Sequence, residues 1–432
     1  MNKELANRVE YVISLAKQVP FYKRKAEEAG LDLDKIKTPD DLFEAYRKGF
    51  YTTSADLPQL VYYRDPDAKS FTTSGTKGKP KEVCLNPDDH KTFVEQYTVG
   101  FIASLPQGAV ALNCLPREPA ISGYVTKKTL DAMNYLCIDA PAQDIAGDPL
   151  KFLHSVKQAR PNSLVALSTF PYRMAFQLSE MGAEPKELGI RSIVVGGEPS
   201  TVERRRTIGN EFSADVFDFY ASSESHLMAF EMAPFSNKYA VNLPHTLMFL
   251  LRGPRTTDEG EVGDVVLSNL FDPKTVSKPW MVLLNYKIGD WASCLKKEGC
   301  VVTHISNIRR EAAYLAGAKL EPAEIETCIE VLGDYKDLLT GEYCIINYHD
   351  KDRKAVAEIR LEARRNLSDE DKRKIGEGVT VVLYSFNIPV KTLVESIKDA
   401  RLRIEITPPG ELYRGYEQYI KPGKPRRLIS SE

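Results

Sequence analysis

The spacing of apolar and polar positions predicts helices at the start of the chain. Residues 5–29 carry apolar side chains at helical intervals, and Pro20 interrupts the series. Residues 39–47 form a second helical segment, which opens from Thr38, a favourable N-cap residue. Neither segment contains residues that indicate chemistry.

Continuous apolar runs then alternate with segments of helical period. Buried strands are predicted at residues 110–115, 164–167, 192–195 and 216–220, and helices at residues 87–103, 172–181 and 202–212. Continuous apolar strands separated by helices are typical of a mostly parallel sheet covered on both faces. In such sheets ligands bind beyond the carboxyl ends of the strands.

The pattern becomes β-rich after residue 261 and more charged after about residue 306. Strands are predicted at residues 263–267, 280–284, 343–348, 355–361 and 379–384, and helices at residues 324–332, 369–375 and 393–398. Asp290 falls in a predicted turn after the second of these strands. The expected fold class is therefore α/β. A large N-terminal domain (1–306) has mostly parallel, helix-covered sheets and a β-rich subdomain, and a small α+β domain (307–432) follows it.

The composition argues against nucleic acid, membranes and zinc as partners of this protein. A formal net charge of −2 over 432 residues produces no field that would attract nucleic acid or an anionic membrane. No apolar run is long enough to span a bilayer, and the charged start does not resemble a signal peptide. Seven scattered cysteines favour reduced thiols, and the closest pair, Cys294 and Cys300, matches no common zinc spacing. We expect a cytoplasmic protein.

A candidate phosphate-binding loop lies between Phe71 and Val83. The intervening segment is rich in hydroxyls and contains two glycines and three lysines. Gly75 and Gly78 allow turns in which several N–H groups point at one anion, and the hydroxyls and lysines add donors and charge. The order of the common P-loop is absent. A flexible polar hairpin is the alternative interpretation.

Two predicted strand ends and the C-terminal segment carry further candidates. Gly196-Gly197-Glu198-Pro199 follows one strand, and Tyr220-Ala221-Ser222-Ser223-Glu224 ends another. Lys424 lies in the basic stretch 419–427, for which a solvated tail is the alternative.

In this order the segments resemble the AMP-forming adenylating enzymes and, within them, the phenylacetate–coenzyme A ligase-like branch. The resemblance covers essentially the whole chain. Its motifs are Val19-Pro20-Phe21-Tyr22-Lys23 followed by Glu27-Glu28-Ala29-Gly30, Thr73-Ser74-Gly75-Thr76 through Lys81, Met181-Gly182-Ala183-Glu184-Pro185-Lys186-Glu187-Leu188, Val195-Gly196-Gly197-Glu198-Pro199, Asp218-Phe219-Tyr220-Ala221-Ser222-Ser223-Glu224 and Tyr286-Lys287-Ile288-Gly289-Asp290. Each motif is weak alone, and their conjunction at family-like spacing is specific.

The resemblance implies a two-step reaction with ATP, Mg²⁺ and coenzyme A. A carboxylate attacks the α-phosphate of ATP, which gives an acyl-adenylate and pyrophosphate, and a thiol then displaces AMP. Because a carboxylate must approach a polyphosphate, like charges have to be neutralised and aligned. The family also implies that the C-terminal domain is a mobile lid that rotates between the two steps.

The resemblance also implies residue roles. Phosphate contacts are assigned to the loop residues Thr73, Ser74, Gly75, Thr76, Gly78 and Lys81, and the adenine contacts to Gly197, Glu198, Pro199 and Tyr220. The ribose contacts are assigned to Asp290 and Arg309. The ionised carboxylate of Asp290 accepts hydrogen bonds from both ribose hydroxyls.

The remaining implied roles concern catalysis and metal. Glu224 binds Mg²⁺, Ser223 touches the α-phosphate, and Lys424 reaches the carboxylate and the α-phosphate. The acyl pocket is expected near Ser122-Gly123-Tyr124 and the strand before Gly196.

Several positions depart from the family pattern. Lys77 replaces a Thr, Ala221 a Gly and Ser223 a Thr. Met232 stands where some members have a Cys that supports zinc, so we expect no zinc site.

The sequence thus predicts a ligase that activates a small aromatic acid and transfers it to coenzyme A, with a homodimer left open. The alternatives are an adenylating enzyme with another acceptor or none, and a nucleotide-binding protein that has lost catalysis.

Overall fold

The computed structural model describes residues 3–72, 82–116, 120–140, 154, 156–198, 200–309, 313–315, 318–351, 354–397, 400–416 and 427–430. Contacts divide the chain into two units. Unit 1 comprises residues 1–113, 117–139 and 217–309, and unit 2 comprises residues 114–116, 140–216 and 310–432. The division into domains 1–306 and 307–432 stays a prediction.

The described helices and strands are numbered in chain order. The helices are α1 (Lys3–Ala16), α2 (Pro20–Glu28), α3 (Pro39–Arg47), α4 (Pro87–Ser104), α5 (Ser122–Ala132), α6 (Thr169–Glu180), α7 (Val202–Phe212), α8 (Pro322–Glu330), α9 (Asp369–Phe386) and α10 (Ile388–Lys391).

The strands are β1 (Thr52–Thr53), β2 (Lys69–Thr72), β3 (Glu82–Leu85), β4 (Val110–Asn113), β5 (Leu136–Asp139), β6 (Ser163–Ala166), β7 (Ser192–Gly196), β8 (Asp215–Ser222), β9 (His226–Glu231), β10 (Lys238–Val241), β11 (Thr246–Arg252), β12 (Arg255–Thr256), β13 (Val262–Asn269), β14 (Tyr286–Glu298), β15 (Val301–Arg309), β16 (Ala313–Leu315), β17 (Ala318–Leu320), β18 (Leu339–His349), β19 (Ala355–Ala363), β20 (Ala400–Thr407) and β21 (Leu428–Ser430).

Local sequence signals set the first helix boundaries, as expected. Pro20 begins α2, where its missing N–H costs nothing. Thr38 and Asp41 form a reciprocal capping box at the start of α3: Thr38 Oγ1 accepts from the Asp41 N–H at 3.2 Å, and Asp41 Oδ2 accepts from the Thr38 N–H at 3.0 Å.

Unit 1 is built around antiparallel strands. They pair in the order β12-β11-β13-β14-β15-β10-β9-β8, and β1 adds to β14 in parallel. β4 and β5 form a parallel pair, and β2 and β3 form a hairpin. One hydrophobic core joins the N-terminal helices to these strands; its largest buried side chains include Tyr22, Phe50, Phe93, Tyr239 and Tyr286.

Unit 2 contains the parallel pair β6–β7 and a four-stranded sheet in the order β20-β19-β18-β21. A separate core lies among α8, α9 and this sheet. Arg204 of α7 and Glu326 of α8 form an ion pair at 3.1 Å, and each side chain is only 1 % exposed. Arg204 Nη2 also donates to the Gly341 carbonyl at 2.6 Å. The ion pair therefore ties α7 to α8 within this unit.

The expected strand at residues 379–384 is wrong, because these residues continue helix α9. Ile375, Val379 and Leu383 are fully buried and recur every four residues, whereas Val381 is 69 % exposed. This spacing gives a helix one apolar face, and packing of that face outweighs the β propensity of the run.

The expected strand at residues 280–284 is also wrong. The segment makes a single bridge, between Met281 and Val61. Side chains bind some of its other backbone groups: the Trp280 N–H donates to Asp89 Oδ2 at 3.0 Å, and the Tyr22 hydroxyl donates to the Val282 carbonyl at 2.8 Å. These partners satisfy the buried backbone without a strand ladder.

The α/β class is confirmed, and the motion of the C-terminal part stays a prediction. Among the helices within the described ranges, none combines the length and apolar character that a membrane crossing requires.

Candidate functional site

Ser223 and Glu224 lie in the hairpin connection between β8 and β9. Ser222 pairs with His226, which leaves three residues in the loop. His226 closes the loop in the left-handed conformation, with φ of 57°, as is usual for loops of this length. Ser222 Oγ accepts a hydrogen bond from the Ser225 N–H at 3.1 Å. The hairpin therefore places the Glu224 carboxylate at the end of β8.

The sequence predicted a turn at Asp290, and this prediction is wrong. Asp290 lies in a bulge within β14. Asp264 pairs with Trp291 and Val266 pairs with Lys287, so three residues of β14 lie opposite one residue of β13. Gly289 occupies the bulge with φ of +91°, which a side chain would strain. Bulges of this kind bend a strand and redirect its side chains.

Two tyrosine–carboxylate hydrogen bonds cross between these elements. Tyr220 of β8 donates to Asp290 Oδ2, and Tyr286 of β14 donates to Glu224 Oε1, each at 2.7 Å. Both tyrosines are 1 % exposed. Burial, followed by the charge of Glu224, raises the pKa of Tyr286, so its hydroxyl stays a donor. The two hydrogen bonds thus cross-link the segments whose carboxylates the sequence motifs assigned separately to ribose and metal.

Glu224 retains an oxygen for a ligand. Oε1 accepts from Tyr286, and Oε2 accepts no hydrogen bond from another described residue. Within the described ranges, no three His, Cys, Asp or Glu side chains come together as metal ligands. A single free carboxylate oxygen fits Mg²⁺, which binds one or two protein carboxylates together with phosphate oxygens and water. The absence of zinc stays a prediction.

Arg309 ends the strand that neighbours the bulge. It pairs with Trp291, the residue after Asp290, and its side chain is exposed. The ribose contact of Arg309 stays a prediction.

In unit 2, the side chain of Glu198 supports a helix. It is 3 % exposed, and its Oε2 accepts hydrogen bonds from Ser168 Oγ and from the N–H and hydroxyl of Thr169. These groups begin α6. Gly197 has φ of +78°, and a Cβ there would come within 3.1 Å of the Leu167 side chain. The motif is therefore a tight turn whose acid is directed into the fold, and its adenine contacts stay predictions.

Eight of the predicted site residues lie outside the described residues. They are Thr73, Ser74, Gly75, Thr76, Gly78, Lys81, Pro199 and Lys424. Their roles stay predictions.

An aromatic cluster surrounds Tyr124, near which the acyl pocket is expected. The Tyr124 ring lies 5.2 Å from Phe71, 5.6 Å from His90 and 6.5 Å from Phe93, measured between centroids, and Phe93 lies 5.9 Å from His226. Burial, with a smaller effect of His90, lowers the pKa of His226 to about 4, so its imidazole is neutral at pH 7. The cluster extends from Phe71 of β2 to His226, which closes the Glu224 hairpin.

Sequence reasoning missed His90, Phe93 and the role of Tyr286. His90 and Phe93 share one face of α4, a spacing that equally suits ordinary packing. Tyr286 and Asp290 have the same four-residue spacing as Tyr220 and Glu224, and this shared spacing is the signal that could have suggested the crossed pairs.

Comparison with known proteins finds curated relatives that span most of the chain. A phenylacetate-coenzyme A ligase from Thermus thermophilus is 23 % identical over 443 residues, covering 95 % of this chain and 92 % of that protein. The chain is similar to the phenylacetate-coenzyme A ligases. A second such ligase, from Pseudomonas putida, is 20 % identical over 368 residues, covering 83 % of this chain and 81 % of that protein. No family model matches the chain.

The fold is that of an acyl-CoA ligase. The crystal structure of 2-hydroxyisobutyryl-CoA ligase with 2-HIB-AMP in the postadenylation state superposes with a TM-score of 0.78 at 15 % identity, covering 99 % of this chain and 89 % of that one. The resemblance to AMP-forming enzymes of the phenylacetate–coenzyme A ligase-like branch is therefore confirmed in sequence and in fold.

Proposed function

We propose that this chain is an ATP-dependent, AMP-forming ligase that activates a small aromatic carboxylic acid and transfers it to coenzyme A. A carboxylate oxygen of the acid attacks the α-phosphorus of ATP, and the bond to pyrophosphate breaks. The thiol of coenzyme A, on losing its proton, then attacks the acyl carbon of the adenylate, and AMP leaves. The acid and coenzyme A are the proposed small-molecule partners.

The observation that carries this proposal is the crossed pair of hydrogen bonds in unit 1. The sequence motifs assigned Asp290 to ribose and Glu224 to the metal independently of each other. Tyr220, on the strand before Glu224, donates to Asp290, and Tyr286, on the strand of Asp290, donates to Glu224, each at 2.7 Å. A nucleotide whose ribose and phosphates are bound by one enzyme needs these groups on neighbouring elements.

Several steps of the mechanism follow from residue chemistry. Asp290 accepts hydrogen bonds from the ribose hydroxyls, because an ionised carboxylate can accept two at once. Tyr220 holds Asp290 in place through one oxygen. Ser223, in the hairpin loop beside Glu224, supplies a hydroxyl to the α-phosphate. Mg²⁺, when bound at Glu224, neutralises phosphate charge that would otherwise repel the attacking carboxylate.

The loop 73–81 and Lys424 supply the remaining charge in this proposal. The loop N–H groups and hydroxyls hold the β- and γ-phosphates. Lys424 places an ammonium where negative charge concentrates during attack. A C-terminal domain, 307–432, that moves relative to residues 1–306 would remove this lysine before the thiol attacks. A cytoplasmic location and a homodimer belong to the same set of proposals.

The decisive experiment measures ATP–pyrophosphate exchange and AMP release with a panel of acids, with and without coenzyme A. We expect exchange with benzoate- or phenylacetate-like acids, faster than with palmitate, and thioester formation only when coenzyme A is present. Exchange without any thioester would indicate another acceptor. No exchange with any acid, although ATP binds, would identify a protein that has lost catalysis.

A further inference from the structure

Tyr286 connects the hairpin loop of Glu224 to the unit 1 sheet at a position paired on both sides. It pairs with Thr52 of β1 on one side and with Leu267 of β13 on the other. Its side chain is 1 % exposed. Glu224, by contrast, lies in a loop of three residues and is half-buried. The hydrogen bond at 2.7 Å therefore fixes a loop acid to a residue that strands hold on both sides.

This contact determines which oxygen of Glu224 is available. The hydroxyl of Tyr286 occupies Oε1, and no described residue donates to Oε2. The Asn269 amide lies 3.4 Å from the Glu224 carbonyl and so restrains the loop backbone rather than the carboxylate. A neutral donor orients the acid without adding a charge that would repel a cation. Partners of this kind tune metal affinity in protein sites.

We propose that Tyr286 is a positioning residue that orients Glu224 so that Oε2 binds the Mg²⁺ of MgATP. The inference rests on the proposed function, because it assumes that Glu224 meets the metal. It assigns a distinct role to each tyrosine: Tyr286 acts on the metal, and Tyr220 acts on the ribose through Asp290.

The test is a Tyr286→Phe substitution in the full chain. ATP binding is measured by calorimetry over a Mg²⁺ titration, and AMP binding is measured without metal. Loss of such a supporting hydrogen bond typically costs 10–100-fold in metal affinity. We expect the Mg²⁺ concentration for half-maximal ATP binding to rise about tenfold. The affinity for AMP should change less than about twofold, since AMP binding does not use this metal.

Tyr239→Phe is the matched control. Tyr239 is also buried and donates to a carboxylate, Asp218 Oδ2, at the same 2.7 Å. This variant loses an equivalent hydrogen bond to β8, the strand that precedes the Glu224 loop, and should keep the Mg²⁺ requirement of the unsubstituted chain.

Three results would overturn the positioning role. They are an unchanged Mg²⁺ requirement in Tyr286→Phe, an equal shift in Tyr239→Phe, or parallel loss of AMP binding in Tyr286→Phe, which would mark a structural residue. If the unsubstituted chain shows no Mg²⁺-dependent ATP binding, the proposed function itself fails together with this role. A Mg²⁺ requirement that is present but insensitive to Tyr286 rejects only the inference.

Discussion

Replacing Glu198 by alanine should destabilise unit 2, because three donors at the start of α6 share its carboxylate. Oε2 lies 3.2 Å from Ser168 Oγ, 3.2 Å from the Thr169 N–H and 3.0 Å from Thr169 Oγ1. Ser168 is 0 % exposed and Thr169 is 5 % exposed, so water has little access to the donors that remain. The carboxylate also lies at the N-terminus of a helix, where the helix dipole favours negative charge.

The magnitude follows from these contacts. Loss of an N-terminal acceptor costs about 1 kcal/mol, and each buried donor left unsatisfied costs about 1–3 kcal/mol. The backbone N–H of Thr169 cannot rotate to another acceptor, whereas the two hydroxyls can. Removing a buried carboxylate also recovers desolvation energy, since Oε1 has no hydrogen-bond partner among the described residues. The expected net loss is therefore about 3 kcal/mol.

The assay is equilibrium urea unfolding followed by circular dichroism, with hydrogen exchange of the first turn of α6 as the local measurement. Glu198→Gln is the matched control, because its amide oxygen can still accept; it should lose about 1 kcal/mol. A Glu198→Ala chain within about 0.5 kcal/mol of the unsubstituted chain would refute the reasoning. Equal destabilisation by both variants would show that charge, and not the acceptor position, stabilises the helix.

Three further predictions concern catalysis and pH. Glu224→Gln should abolish Mg²⁺-dependent ATP–pyrophosphate exchange, because an amide is a poor ligand for a hard dication; full exchange would reject the metal assignment. Lys424→Ala should slow adenylate formation at least about a hundredfold and leave thioester formation from supplied acyl-adenylate nearly unchanged, while Lys421→Ala behaves normally. Normal adenylation by both lysine variants would show a solvated tail. Burial, then the charge of Arg8, lowers the pKa of His245 to about 4. Between about pH 6.5 and pH 4, His245 is therefore protonated in the unfolded chain but not in the folded chain. The contribution of His245 to the free energy of unfolding is fully present above pH 6.5, and that free energy falls by about 3 kcal/mol as the pH drops to 4. Urea unfolding of His245→Gln should show a correspondingly weaker pH dependence, and an identical one would contradict the assignment.

Part of this fold could be predicted from the sequence because it depends on interactions between residues close together in the chain. The capping box of Thr38 and Asp41 and the break at Pro20 involve residues within a few positions of one another, so the residue types alone specify them. The same holds for helix α7, whose predicted bounds agree with the structure. The family resemblance could also be predicted from the sequence, because its motifs are short continuous segments.

Tertiary partners decided the rest of the site. A ribose contact was predicted for Asp290 from its motif, but the bulge that holds it depends on how β14 registers against β13, which no local pattern encodes. Tyr286 had a visible place in a motif, yet its partner Glu224 lies 62 residues away along the chain. Glu198 belongs to a motif that indicates a ligand contact, but packing directs its carboxylate to the start of helix α6.

The two incorrect strands have the same physical origin. Residues 379–384 favour β structure locally, but burial at four-residue intervals against the unit 2 core makes them helical. Residues 280–284 have the composition of a strand, but Asp89 and Tyr22 satisfy their backbone from other parts of the chain. The sequence by itself determined the caps, the class of fold and the family resemblance. Only the tertiary structure decided which distant groups meet, because burial and hydrogen bonding between remote segments outweigh propensities of less than about 1 kcal/mol per residue.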